Sequence, residues 1–461
     1  MNEFSFHASS FRDKNGQIFL KHKEIFRTVN FSYRENYDLF KKSGLYSDLA
    51  KNNLIIKHSE INPSVFQLGP EVYKVLKPEF IPFISYPYEW SYEMLYRASI
   101  LTLEIQIKAL EYKMSLKDAS AFNIQFIGTT PVFIDTLSFE KLDEQKPWIA
   151  YRQFCRHFLG PLTLMKFKGL DLGKLQGLYL DGIPLEIVVR LLPFKSYFNF
   201  HIFLHLFLHQ FGGRKLEKNG LNSQVKKLRE IDIQNLILSL KDAVESLKIK
   251  QNKSGWSQYY YDNNYSKIAF ESKKAIIAKL CERLKPRITA DLGSNTGFFS
   301  RIAAQYSDHV ISVDFDPTTV NINYLNSKAN KINNILPLCI DLNNPTPAIG
   351  WMGQERDNFL SRLDSDCTLA LALVHHMYFS NNLSFSQIAL FFRKSGDSLI
   401  IEFIQPSDSQ IKRLIGFRTD DIGTYNEENF RREFGNYFEI IEKLPIKDSE
   451  RIIYLMKRRN G

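Results

Sequence analysis

Thr289-Ala290-Asp291-Leu292-Gly293-Ser294-Asn295-Thr296-Gly297-Phe298-Phe299-Ser300 is the stretch on which the reading of this chain turns. A short apolar run ends at Asp291, a bend with two glycines follows, and a helical pattern opens at Phe298. Strand, glycine turn and helix in this order begin a nucleotide-binding α/β domain. Gly293 can take backbone angles closed to a residue with a Cβ, and Gly297 lets the helix come close to the strand. The first helical turn leaves N–H groups free beside the bend. The spacing is D-x-G-x-x-x-G, not the dinucleotide fingerprint G-x-G-x-x-G. Asn295 stands where that fingerprint's middle glycine lets backbone close on a pyrophosphate. A ligand without phosphates fits this turn better than a dinucleotide.

Working outward, His309-Val310-Ile311-Ser312-Val313-Asp314 reads as a second strand ending in an acid. A carboxylate there can accept two hydrogen bonds from a vicinal diol. Asp316 either shares that role or caps the helix opening at Pro317. Ile335-Leu336-Pro337-Leu338-Cys339-Ile340-Asp341-Leu342 reads as a third strand with a terminal acid. A glycine bend with acids at three successive strand ends resembles the class I S-adenosylmethionine (SAM)-dependent methyltransferases. The resemblance implies a Rossmann-like, seven-stranded α/β domain with SAM as cofactor. It places Asp291, Gly293, Ser294, Asn295 and Gly297 at the turn, Asp314 and Phe315 at the ribose, and Asp341 and Leu342 around the adenine.

Cys367-Thr368-Leu369-Ala370-Leu371-Ala372-Leu373-Val374 has the continuous apolar character of a buried fourth strand. It ends at His375-His376, beside the position expected for the transferred methyl group. Methyl transfer asks its protein mainly for alignment of nucleophile, carbon and sulfur. An oxygen or nitrogen nucleophile of high pKa also gains from a base, and imidazole suits that task. His375 or His376 is the candidate, with His376 expected to be the one packed inward. The bland reading, a strand-end histidine with only a structural hydrogen bond, stands beside it. Ser398-Leu399-Ile400-Ile401-Glu402-Phe403-Ile404 is a fifth strand, and Glu402 and Asp408 stand where substrate is held in open α/β sheets. Segments 437–441 and 452–456 can supply an antiparallel closing pair. The insertion 343–360, with Trp351, is expected as a lid or substrate wall. Aromatic residues 256–265 either fold over the cofactor through Tyr260 or Tyr265, or staple the linker to the sheet.

The polar stretch 248–255 marks a boundary, with an α+β module over 1–250 and the methyltransferase-like domain over 251–461. In the module, residues 17–19 and 25–29 read as strands. Residues 33–51 and 91–112 read as helices, the second because Leu95, Ala98, Leu101 and Ile105 recur at helical spacing. Asp118 precedes Asn123 by five residues, and a strand, a turn and a second strand lead to Asp135. This resembles the catalytic loop and metal-binding acid of the protein-kinase and aminoglycoside-kinase superfamily. The resemblance implies Asp118 as base and Asn123 and Asp135 as magnesium ligands. The departures are large. Leu116 stands where that family usually has histidine, Thr136-Leu137 follows Asp135, no glycine-rich loop lies upstream, and Lys74 is the only guess for a phosphate-pairing lysine. A degenerate kinase-like lobe and a plain hairpin with surface acids both stay open. His157, His201, His205 and His209 raise a metal site against the commoner reading of an aromatic-rich core face.

The composition sets bounds. With 44% apolar residues the chain can build full cores, and its formal net charge of +10 suits an anionic partner or merely a solvated surface. The four cysteines form no C-x-x-C pair, so neither a zinc site nor a disulfide framework is indicated. The start lacks the form of a signal peptide, and no apolar run reaches the ~18 residues of a membrane span. A cytoplasmic setting is the expectation. Residues 85–90, 115–126 and 147–161 resemble a family of bacterial SAM methyltransferases, some of whose members carry nodulation-protein names. The reading is therefore a SAM-dependent methyltransferase acting on an oxygen or nitrogen of a small metabolite or saccharide. The alternatives are RNA methylation, or a first module that binds ATP or phosphorylates a small molecule. Against RNA, no dedicated RNA module is visible, and Val374-His375-His376-Met377 replaces the N/D-P-P-Y/F tetrapeptide of base-amine methylation.

Overall fold

The computed structural model describes residues 4–22, 24–144, 146–208, 230–249, 266–415 and 422–460. Tyr260, Tyr265 and His209 lie outside these residues. The chain divides into two compact units: residues 1–126, 130–250 and 348–357 form one, and residues 127–129, 251–347 and 358–461 the other.

The first unit opens with an antiparallel sheet in the order β1 (Ser5–Phe6), β2 (Ile18–Lys21), β3 (Glu24–Asn30), β5 (Val72–Pro78), β4 (His58–Ile61). Phe19, Phe26 and Phe66 pack on one another with ring centroids 4.9–5.3 Å apart, which accounts for the density of aromatics early in the chain. The helix expected over 33–51 is two helices, Arg34–Lys42 and Leu45–Lys51, because Gly44 at φ +95° breaks it. Helix Tyr92–Glu111 is buried on most of its faces, as a helix at the centre of a core must be. Beyond it come β6 (Met114–Leu116), β7 (Ile124–Ile127), β8 (Thr130–Phe133) and β9 (Phe139–Lys141). Segment 348–357 is tied into this unit. Arg12 donates to Glu355 Oε1 from Nε (2.9 Å) and from a terminal nitrogen (2.6 Å), and the Asp357 N–H donates to the Tyr86 hydroxyl at 2.9 Å. Trp351 thus groups with the first unit, and of the expected lid only Asn343 lines the cavity described below.

Asp135 pairs with Arg27, which also holds Asp13. Burial and the neighbouring Asp135 raise the Asp118 pKa. Lys74 pairs with Glu60 at 3.2 Å, and the cation paired with Asp135 is Arg27. His205 is committed through both ring nitrogens, to the Tyr151 hydroxyl at 2.8 Å and to Ser239 Oγ at 2.9 Å. Among the described residues no three His, Cys, Asp or Glu side chains are arranged to hold a metal ion.

The second unit is an α/β sheet of β10 (Ile288–Leu292), β11 (His309–Asp314), β12 (Ile335–Cys339), β13 (Ser365–Ala370), β14 (Gly396–Phe403), β15 (Phe438–Pro445) and β16 (Ile452–Arg458), in the order β12-β11-β10-β13-β14-β16-β15. The first five in that order run parallel, and β16 is antiparallel to both β14 and β15. β10 and β12 are buried at every position, as strands covered on both faces are. Helix Lys267–Leu284 contributes Ala269, Ile277, Leu280 and Cys281 to the core on one face. Connections leave β10 toward β11 on one side and arrive at β13 on the other. A crevice opens at the carboxyl ends of strands where the order reverses in this way. Segment 127–129 belongs here, and the Tyr324 hydroxyl donates to the Thr129 carbonyl at 2.7 Å.

The fourth strand stops at Ala370, earlier than its apolar run suggests. Ala372 takes φ +50°, a region a residue with a Cβ enters at a cost, and its N–H donates to Glu402 Oε2 at 2.8 Å. That capture turns the chain out of the sheet before Val374.

Candidate functional site

A cavity of about 350 Å³ lies at the carboxyl ends of β10–β13 in the second unit. Of the residues expected to hold a cofactor, Asp291, Gly293, Ser294, Asn295, Asp314, Phe315, Asp341 and Leu342 all line it. Gly297 does not. It stands at φ +74° as the residue before helix Phe298–Ala303, and a Cβ there would lie 2.0 Å from Asn323 Oδ1. Its role is the close approach of backbone to the next helix. Gly297→Ala is expected to destabilise the protein by about 1–3 kcal/mol, from positive φ and the clash together. A thermal melt superimposable on the wild type would contradict this.

The bend is shaped by its own backbone. Gly293 (φ +81°) and Asn295 (φ +51°) both sit in the left-handed region, which glycine enters freely and asparagine more readily than most residues. The N–H groups of Gly293 and Ser294 both donate to the Val313 carbonyl at 2.9 Å. The N–H of Asn295 donates to Asp314 Oδ2 at 2.8 Å, and that of Asp316 to Asp314 Oδ1 at 3.0 Å. Each Asp314 oxygen therefore takes one backbone donor and keeps lone-pair capacity toward the cavity. Asp316 caps helix Pro317–Ala329 by accepting from Thr318 N at 2.8 Å, which answers for it as a cap. Asp341 accepts from the backbone and side chain of Asn343 at 2.9 and 3.2 Å. The Ser294 hydroxyl is buried in the wall with no hydrogen-bond partner.

Burial pushes the Asp291 carboxyl up to about 6, against the Ser300 hydroxyl bonded to it at 2.6 Å. Burial likewise pushes Asp314 up to about 6, against its two backbone donors. Behind Asp291 runs a polar chain that no local motif announces. Ser300 Oγ lies 2.8 Å from Ser312 Oγ, which accepts from Asn323 Nδ2 at 2.7 Å.

The two histidines are placed the other way round from expectation. His376 lines the cavity; His375 is buried behind it, with Nδ1 unpaired. Burial depresses both pKa values, further for His375, where His376, Arg451 and Lys273 add to the effect.

Glu402 and Asp408 are likewise corrected as substrate holders. Glu402 is wholly buried. It pairs with Lys273 at 2.7 Å and lies 3.8 Å from Arg451, which in turn pairs with Asp408 at 2.8 Å. Lys273 itself lines the cavity, over the Phe299 ring at 4.7 Å, and burial lowers its pKa. Phe270, Leu371, Leu373, Met377, Ser380 and Asn381 also stand on the wall.

No protein-family model matches the chain. The nodulation protein NoeA of Rhizobium meliloti (strain 1021) is 31% identical over 458 residues, covering 98% of this chain and 96% of that protein. Among solved structures, N-methyltransferase NodS from Bradyrhizobium japonicum WM9 in complex with S-adenosyl-L-homocysteine covers 45% of this chain and 94% of its own, at 10% identity and a TM-score of 0.33. The bifunctional kinase-methyltransferase WbdD covers 46% of this chain and 44% of its own, at 14% identity and a TM-score of 0.31. At such scores neither structure bears on what this chain does.

Proposed function

The chain belongs to the family of nodulation protein NoeA, and from that premise we propose that it is a SAM-dependent methyltransferase whose acceptor is an oxygen or nitrogen of a small molecule. The observation that carries this reading is the convergence of Asp291, Asp314, Asp341 and the Gly293 bend on one cavity at the sheet's reversal point.

The residues fit such a cofactor. Asp314 has lone pairs left for a ribose diol, and Phe315, Ile340 and Leu342 offer apolar surface to a purine. Ser294 presents a buried hydroxyl that lacks a partner. Asp291 faces the cavity with a charge suited to the cationic amino-acid end. When bound, the cofactor supplies a methyl group already activated on a sulfonium. What remains for the chain is to orient the acceptor, keep water out and take a proton. His376 stands on the wall with its pKa depressed, so its ring is neutral at physiological pH and can accept a proton from the acceptor's O–H or N–H. Ser380 and Asn381 on the same wall can hydrogen-bond the acceptor. His376→Asn is expected to leave cofactor affinity intact and lower turnover by about 10²–10⁴-fold. Full turnover in that variant would remove His376 from the role. In the first unit, the pairing of Arg27 with Asp13 and Asp135 gives those acids an internal counter-ion.

Calorimetry with SAM on the full chain tests the reading, and absence of any binding heat would overturn it. The two raised carboxyls add a sharper signature. Asp291 and Asp314 hold their protons more tightly folded than unfolded. They favour the folded chain below about pH 4, and that advantage is lost as pH rises through about 6. A cationic, diol-bearing ligand favours the ionised forms. Binding near pH 6 should therefore release protons, seen as a dependence of the measured heat on the buffer's ionisation enthalpy. The rise in melting temperature given by SAM should be larger at about pH 8 than at about pH 5.

A further inference from the structure

Seven of the chain's ten net positive charges fall between residues 187 and 229, where eight lysines and arginines meet a single acid, Glu217. The described part of this stretch has an unusual surface. Short helical segments Phe194–Phe198, Phe200–Ile202 and Phe203–Leu208 follow one another. They bury Ile202, Leu206 and Phe207 on one side. On the other, Phe194, Phe198 and Phe200 are 74%, 79% and 69% exposed, with Leu191 and Leu208 also open to solvent. Phe194 contacts Phe198 and Tyr197 with ring centroids 5.6 Å apart in each case, so the rings form one patch. Lys195 lies within it, and no acid occurs from 187 to 208.

An exposed apolar patch of this kind marks an interaction surface, and the cationic excess of the sequence that carries it selects an anionic partner. A second copy of the chain would set like charges face to face. Nucleic acid would use rings as stacking platforms interleaved with cations along a groove. Here phenylalanines and leucines stand together, and hydrocarbon accepts both alike, while lysine and arginine stems keep their charges at the headgroups. Among the described residues no helix is long and apolar enough to cross a membrane, so any association through this patch is peripheral. We propose that this face, through the exposed side chains of Leu191, Phe194, Phe198 and Phe200, docks this protein on an anionic lipid surface.

The full chain is mixed with sedimentable vesicles of phosphatidylcholine, alone or mixed with phosphatidylglycerol. Co-sedimentation is expected with the mixed vesicles, weak with the neutral ones, and reduced by added salt. The triple variant Phe194→Ser, Phe198→Ser, Phe200→Ser should bind the mixed vesicles at least about tenfold more weakly. Its thermal melt should be unchanged, because the three rings bury little. Independently, Phe198→Trp should add an emission that shifts to the blue on mixed vesicles and is quenched by brominated lipid. The proposal is overturned by no vesicle binding, by a triple variant that binds like the wild type, or by an added indole emission indifferent to lipid. Self-association or transfer RNA binding that accounts for the patch in place of vesicles would overturn it equally.

Discussion

Asp314→Ala is expected to weaken SAM binding by about 10²–10⁴-fold. Two charge-assisted hydrogen bonds to a diol, at about 1.5–3 kcal/mol each, set that range. The effect exceeds that of an ordinary wall residue because Asp314 works twice. Its two oxygens also receive the N–H groups of Asn295 and Asp316, so its loss leaves the bend itself without its tie. Asp314→Asn keeps the volume and one acceptor, and should fall between alanine and the wild type. Titration calorimetry reads both. If the alanine variant bound SAM within a few-fold of the wild type, the ribose assignment would be lost, and with it the main support for this cofactor.

Glu402→Gln is expected to cost about 3–5 kcal/mol of stability in the second unit, because it leaves the buried Lys273 without its counter-charge, whereas Arg451 keeps Asp408. Lys273 and Arg451 are each almost wholly buried around this one carboxylate. Shape is nearly conserved in the substitution, so the loss isolates charge. Denaturant unfolding should show the midpoint falling, and Lys273→Met in the same chain should restore part of it. Independent, additive effects of the two substitutions would mean that the pair is not coupled. The change should also reach the cavity, since Glu402 fixes the Ala372 N–H and Lys273 lies in the wall.

Much of the second unit was legible because its signals are local. Apolar runs ended in acids, glycines sat at a bend, and a proline opened the helix after Asp316; each can be read within a dozen residues. The buried charge cluster could not be read this way. Lys273 lies on a helix rich in lysine, where it looks like one more solvated side chain, and Glu402 and Arg451 come from positions far along the chain. Nor does alanine advertise a positive φ, so the early end of β13 was hidden. Gly297 was readable as necessary but not as remote from the cavity, because the clash that demands it involves Asn323 on another helix. In the first unit, Arg27 comes from a strand that was itself legible, but its partners Asp13 and Asp135 lie on other segments of the chain.

The interchange of short segments, 348–357 into the first unit and 127–129 into the second, governs how this gene can be cut. Scission at the obvious linker would hand each product a foreign peptide and withhold one of its own. Arg12 would lose Glu355, and Tyr324 would lose the Thr129 carbonyl. Half-length expression plasmids are therefore poor reagents for this protein, and recombination that swaps one module for another would have to carry both stitches across at once.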